Sequence, residues 1–332
     1  MTTTPTSAAP SVAPSTEPWL KHVPVPLFAA TMGLAGLGLA WRKAHEVLLL
    51  PQAIGEVILV LAALAFIGTL VLYAAKAAKF TPAMVGEFTH PIRSSFFPAL
   101  SIGILLLASA LLPYAKGAAE GLWIVGTVLH LVFAVSILNR WIVHNHEIGH
   151  SSPAWFIPVV GNIIVPLAGV KLGYEEVSIF FFSVGMVFWV ILFVLVVNRI
   201  IFHDQLPGKF LPTLFILVAP PAVGFLSYLS VNGGEIDLMA KVLFFTALFL
   251  AIMLASMIRL FMGLPFALSW WAYTFPSAAM TMAALRYHEL SPSAVTVPMA
   301  VFFLVVATII IAMVAFKTTV ALIKGKVFVP EG

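Results

Sequence analysis

The sequence contains no cysteine, which excludes disulfides and thiolate metal sites. Charge is nearly as scarce: Asp, Glu, Lys and Arg make up 9% of the chain, against about 25% in ordinary soluble domains. No stretch alternates apolar with polar residues over strand lengths, so a membrane β-barrel is excluded as well. Residues 1–22 are rich in Thr, Ser, Ala and Pro and lack the apolar core of a signal peptide, so they read as a disordered tail. What fills the rest is hydrophobic, 61% of the chain, at a mean hydropathy of +1.08. These properties specify an all-α integral membrane protein, in which every backbone polar group must be satisfied inside the bilayer.

Ten apolar segments follow, near 25–41, 51–75, 93–113, 119–141, 154–171, 174–199, 211–231, 236–260, 265–286 and 293–317. They make a transmembrane domain over 23–320, followed by a short basic tail over 321–332. Segments 5 and 6 almost touch around residues 171–176, which predicts a tight hairpin. Of the 17 Lys and Arg, 11 fall in the tails and in the loops after even-numbered segments, and 6 fall on the opposite side. By the positive-inside rule both termini lie in the cytoplasm, and the chain is a multi-pass protein of the inner (plasma) membrane. The basic balance belongs to that face, and no soluble domain is present to bind nucleic acid with it.

An internal repeat is visible. Asn139-Arg140-Trp141-Ile142-Val143-His144 ends segment 4, and Asn198-Arg199-Ile200-Ile201-Phe202-His203 ends segment 6, 59 residues later. Pro98, Pro158, Pro220 and Pro276 occupy segments 3, 5, 7 and 9 at spacings of 60, 62 and 56. Proline lacks an N–H and disrupts the helix around it, so each odd segment is predicted to kink at Pro or, in segment 1, at glycines such as Gly33. Loosened backbone cannot face lipid. The pattern therefore predicts five helical hairpins in a pseudo-fivefold ring, with kinked odd helices inside around a central pore and unbroken even helices outside.

Residues beside the breaks are small or short: Gly33, Ser101, Gly161, Asn162, Gly224 and Ser277. With the prolines and with Phe28, Phe97, Phe156 and Phe215 they form the predicted pore lining, and Phe96, Phe97, Phe156, Phe215 and Phe225 are candidates for further constrictions. No Asp or Glu lies mid-way along an odd segment, so the carboxylate ring of a cation pathway is missing. Half-helices that begin after a break present free N–H groups and a positive dipole end, which favours anions. The same prolines and glycines also serve plain helix bending and close packing. Arg93 and Arg286 stand at opposite ends of the inner segments, placed to draw anions to the pore mouths or to snorkel at the interface.

His146-Glu147-Ile148-Gly149-His150 matches the H-E-x-x-H pattern of zinc proteases, in which two histidines on one helix face hold the metal. Gly149 and Ser151-Ser152-Pro153 oppose the helix this needs, so no metal site and no enzyme are expected, and an intramembrane zinc metalloprotease is the remote alternative. No cofactor is implied. His130, in the middle of segment 4, reads as a neutral histidine bonded to a neighbouring helix, with a proton relay as the alternative.

Three stretches carry a family resemblance: residues 26–41, residues 153–169 and Trp270-Trp271-Ala272-Tyr273-Thr274-Phe275-Pro276. Together they resemble the bacterial TehA family of tellurite-resistance and C4-dicarboxylate transporters, whose superfamily includes the plant guard-cell slow anion channels. The resemblance runs from about Val23 to the last segment. It implies ten helices as five hairpins, a homotrimer with one pore per subunit, and conduction of small anions such as chloride or nitrate. It also implies that Phe275, just before the proline of segment 9, plugs the pore. A proton-coupled carrier of malate-like dicarboxylates, or of tellurite, is the alternative within this resemblance. Such a carrier should place a titratable group in the path, and the inner segments offer none at their centres.

Overall fold

The computed structural model describes residues 18–329. The expected tail over 1–17 and the last three residues of the basic tail lie outside the described residues. Among the described residues ten long helices stand out: α1 (Val25–Leu48), α2 (Gln52–Lys79), α3 (Arg93–Leu111), α4 (Lys116–Val143), α5 (Pro153–Leu172), α6 (Glu175–Phe202), α7 (Gly208–Val231), α8 (Leu238–Ser256), α9 (Thr274–Leu290) and α10 (Thr296–Ile323). No strand occurs among the described residues. All but α9 are long and apolar enough to cross a bilayer. The exception carries Ser, Thr, Tyr, His, Arg and Glu, yet Thr274, Thr281 and Tyr287 are buried with its alanines. A helix enclosed by protein need not be apolar all round.

Burial divides the other nine into two populations. The most apolar windows of α1, α3, α5 and α7 are 72–83% buried, whereas those of α2, α4, α6, α8 and α10 are 22–33% buried. Each odd helix packs against the even helix that follows it. The odd helices also touch one another: α1 meets α3 and α9, α3 meets α5, α5 meets α7, and α7 meets α9. Close approach needs small residues. A Cβ on Gly38 would stand 2.6 Å from Leu59 of α2, and one on Gly185 of α6 would stand 3.0 Å from the backbone N of Ile163 in α5. The predicted tight hairpin is present, with Gly173 at φ 95° between α5 and α6.

The prolines act differently from the mid-helix kinks expected of them. Each odd helix, or the stretch just before it, opens with a 3-10 turn, such as Val25–Leu27, Arg93–Phe96, Gly208–Val218 and Leu268–Tyr273. The α-helix then starts at or next to proline: Pro98 is its first residue in α3, Pro220 its second in α7, and Pro276 its third in α9. Proline is well placed in a first turn, where its missing N–H would have no helical partner anyway. Only α5 is interrupted inside, by a 3-10 turn over Gly161–Ile164, with Pro158 before it and Pro166 restarting the helix.

The N-R-x-I-x-H repeat has a structural job. Arg140 Nη2 donates to the carbonyl of Thr89 at 2.5 Å, and Arg199 Nη2 reaches the carbonyl of Gly149 at 3.4 Å. Lys76 does the same at the end of α2, donating to Val23 O at 2.7 Å. In each case the cation that ends an outer helix holds the backbone just before the inner helix of its own hairpin. Lys76 is buried and also bonds Glu87 at 2.6 Å, on a short helix, Thr81–Thr89, that the sequence reading did not anticipate. Trp19–His22, read from sequence as disordered tail, forms a 3-10 turn with the Trp19 ring 5.4 Å from Phe328.

Candidate functional site

Two cavities are stacked along the odd helices. The narrow one, about 70 Å³, is lined by Pro26, Ala29 and Met32 of α1, by Phe96 and Ile102 of α3, by Phe156, Gly161 and Ile164 of α5, by Ala219, Pro220 and Val223 of α7, and by Trp271, Phe275 and Pro276. The wide one, about 640 Å³, is lined nearer the other end of the same helices: Leu39, Arg42, Lys43 and Glu46; Ser109 and Leu112; Leu167 and Lys171; Leu226 and Gly234; Met282 and Arg286. On α5 the linings are separated by the step from Ile164 to Leu167, and on α7 by the step from Val223 to Leu226. Three residues rise about 4.5 Å in an α-helix, so the partition there is one turn thick or less.

Their chemistry is opposite. No titratable side chain lines the narrow cavity among the described residues; its one hydroxyl, Ser269, donates to Lys209 O at 2.5 Å. The wide cavity takes Arg42, Lys43, Lys171 and Arg286 against one lining carboxylate, Glu46. These are four of the six Lys and Arg on the minority side of the charge count; Arg286 among them is an expected pore-mouth charge, and the other three read from sequence only as topology signals. Arg42 is fully engaged, with Nε and Nη2 each 2.9 Å from a Glu56 oxygen and Nη1 2.8 Å from Ala110 O.

Phe275 faces the narrow cavity and is half-buried for that reason. Its ring is backed by a glycine: a Cβ on Gly36 of α1 would stand 3.3 Å from Phe275 Cδ2. Thr274, beside it, donates to Trp271 O at 2.7 Å and fills the space over Gly33, where a Cβ would fall 2.2 Å from Thr274 Oγ1. Behind the α5 wall stands His130, fully buried, with Nδ1 2.8 Å from Ser101 Oγ. Because Ser101 Oγ–H already donates to Pro98 O at 2.8 Å, the consistent tautomer has Nδ1–H donating to Ser101. The ring then abuts Gly161, where a Cβ would lie 2.8 Å from His130 Cε1.

Of the residues singled out from sequence, Phe96, Phe156, Gly161, Pro220, Phe275 and Pro276 meet at the narrow cavity, and Arg286 lines the wide one. The others are placed elsewhere. Phe28 packs on Phe66 and Tyr73, Phe97 on Tyr73 and Phe88, and Phe215 on Phe261 and Tyr273, all between helices. Gly33 and Gly224 are contact points for Thr274 and Met186, and Ser101 serves His130. Asn162 and Ser277 bond their own helices, to Val159 O and Tyr273 O. Pro98 and Pro158 are buried but line neither cavity, and Arg93 sits in the 3-10 turn opening α3, remote along that helix from the wide cavity.

The H-E-x-x-H stretch does not form the helix face that zinc would need. Only Ile148–His150 is helical, as a single 3-10 turn, and His146 Nδ1 lies 2.8 Å from His144 O. No cluster of three or more potential metal ligands occurs among the described residues.

Residues 22–319 match the family model described as a voltage-dependent anion channel, SLAC1. The chain belongs to the SLAC1 family. It is 30% identical over 283 residues to the S-type anion channel SLAH2 of Arabidopsis thaliana, covering 82% of this chain and 54% of the relative. The guard cell S-type anion channel SLAC1 of the same plant is 26% identical over 286 residues, 83% of this chain and 51% of that protein. The tellurite resistance protein TehA homolog of Haemophilus influenzae is 28% identical over 311 residues, 92% and 93% of the two chains. The SLAC1-family chain thus spans about half the length of the plant relatives and nearly all of the bacterial one. The family is one of channels and transporters and not of enzymes, which removes the protease alternative.

Proposed function

We propose that this chain is a channel for small anions such as chloride or nitrate, with a path running through both cavities and closed beside Phe275. The observation that carries the reading is the pair of stacked cavities walled by the same five odd helices, one apolar and uncharged, the other cationic. A cationic mouth concentrates anions, and an apolar constriction gates by excluding water. The names of the relatives, anion channels among them, point the same way. The order of helix contacts, α1–α3–α5–α7–α9 and back to α1, supports a pseudo-fivefold ring of five hairpins spanning the membrane. We place the wide cavity on the outer side and both termini in the cytoplasm, in line with the charge count. The transmembrane domain over 23–320 is the conducting unit. The family resemblance supports a homotrimer with one pore per subunit, checked by the mass of the detergent-solubilised particle.

The proton-coupled carrier is disfavoured because, among the described residues, no titratable group lines the narrow cavity. The deciding experiment reconstitutes the purified protein in planar bilayers under a chloride gradient. Current that reverses near the chloride equilibrium potential supports the channel. Saturable uptake that needs a pH gradient, without such a current, supports the carrier.

A further inference from the structure

Lys43 and Arg286 line the wide cavity from adjacent helices, α1 and α9, and both hold one carboxylate. Lys43 Nζ is 2.8 Å from Glu289 Oε1, and Arg286 Nη1 is 2.5 Å from Glu289 Oε2. Lys43 also meets Glu46 at 2.9 Å. Arg42 is occupied by Glu56, and Lys171 is exposed with no ion-pair partner among the described residues. Four cations therefore face three carboxylates, and the single negative charge of Glu289 is shared by two of the four. Glu289 is about one-third exposed, so its charge acts through a water-filled mouth and not through protein interior.

We infer that Glu289 is an electrostatic brake on the wide cavity: it sets how strongly the mouth gathers anions and thereby makes flux from that side depend on ionic strength. The inference rests on the conduction reading above. A unit charge roughly 10 Å from a passing anion changes its local concentration about twofold in water at low salt. At about 1 M salt the Debye length is near 3 Å and the effect vanishes. Lys171 works in the opposite sense, because its removal takes away a cation that no carboxylate offsets.

The test uses the full chain with Phe275→Ala, to hold the path open, in planar bilayers with dilute chloride. Glu289→Gln should raise the current carried by anions arriving through the wide cavity about twofold. Current in the other direction should change less, giving rectification, and both directions should match the parent at about 1 M salt. Lys171→Gln should lower the same limb by a similar factor. It breaks no ion pair, so it remains informative if Glu289→Gln folds poorly. Rectification that tracks the two charges in opposite senses is not produced by a merely structural role. If the Phe275→Ala channel conducts but neither substitution alters its low-salt rectification, the brake is wrong. A Phe275→Ala protein that passes no current would instead overturn the conduction reading.

Discussion

Replacing Gly33 by Ala tests the contact between the first and ninth helices, on which the proposed ring depends. The added Cβ would lie 2.2 Å from Thr274 Oγ1 and 2.6 Å from Thr274 Cβ, both far inside van der Waals contact. Thr274 is fully buried and cannot swing clear without giving up its hydrogen bond to Trp271 O. Overpacking of this kind costs about 1–3 kcal/mol, and the lost hydrogen bond about 1 kcal/mol more. Against this, Ala is favoured over Gly in a helix by about 1 kcal/mol. The net is a loss of about 2 kcal/mol, which at about 2.1 cal/mol/K of unfolding entropy per residue over 332 residues is a fall in melting temperature of roughly 3 °C. Thermal melting in detergent, followed by tryptophan fluorescence, reads it. Gly68→Ala is the control: its Cβ would meet nothing within 4 Å, so no loss is expected. Adding Thr274→Gly to Gly33→Ala should cost less than the sum of the two single changes. A Gly33→Ala protein as stable as the parent would refute the close packing of α1 on α9.

Other outcomes follow from the same contacts. Lys76→Met should destabilise by about 3–5 kcal/mol by stranding the buried carboxylate of Glu87, and Lys76→Met with Glu87→Leu should recover much of the loss; melting of the three variants decides. Gly161→Ala should cost about 1–3 kcal/mol by pressing on His130 and Ile102, and His130→Ala should partly rescue it. Chelator treatment should leave the melting temperature unchanged, and His146→Ala should not alter zinc content after gentle purification; stoichiometric zinc lost on that substitution would contradict the loop geometry.

The layering was legible in sequence because lipid imposes it: charge-free runs of Val, Leu, Ile and Phe mark the outer helices, and Pro, Gly and Ser mark the inner ones. The tight turn at Gly173 was legible for a similar reason, since only two residues, Gly173 and Tyr174, lie between helices there. The 3-10 turns were not, because a proline inside an apolar run signals either a kink or a helix start. Which phenylalanines face the cavity was also hidden. Phe96, Phe156 and Phe275 do, while Phe28, Phe97, Phe215 and Phe225 pack between helices, and residue type alone does not say which face a ring occupies. The cations of the wide cavity were visible but scattered over three segments, and only folding brings Arg42, Lys43, Lys171 and Arg286 to one mouth. The Glu87 partner of Lys76 was missed because a single carboxylate in an apolar stretch gives no periodic signal.

The claim on which the account depends is that Phe275 stoppers an uncharged path for anions. The most direct measurement compares wild-type and Phe275→Ala protein in planar bilayers under a chloride gradient. Replacing the ring by a methyl group should raise the current at least tenfold, with reversal near the chloride equilibrium potential. Equal currents from the two proteins, or a reversal near the cation potential, would contradict it.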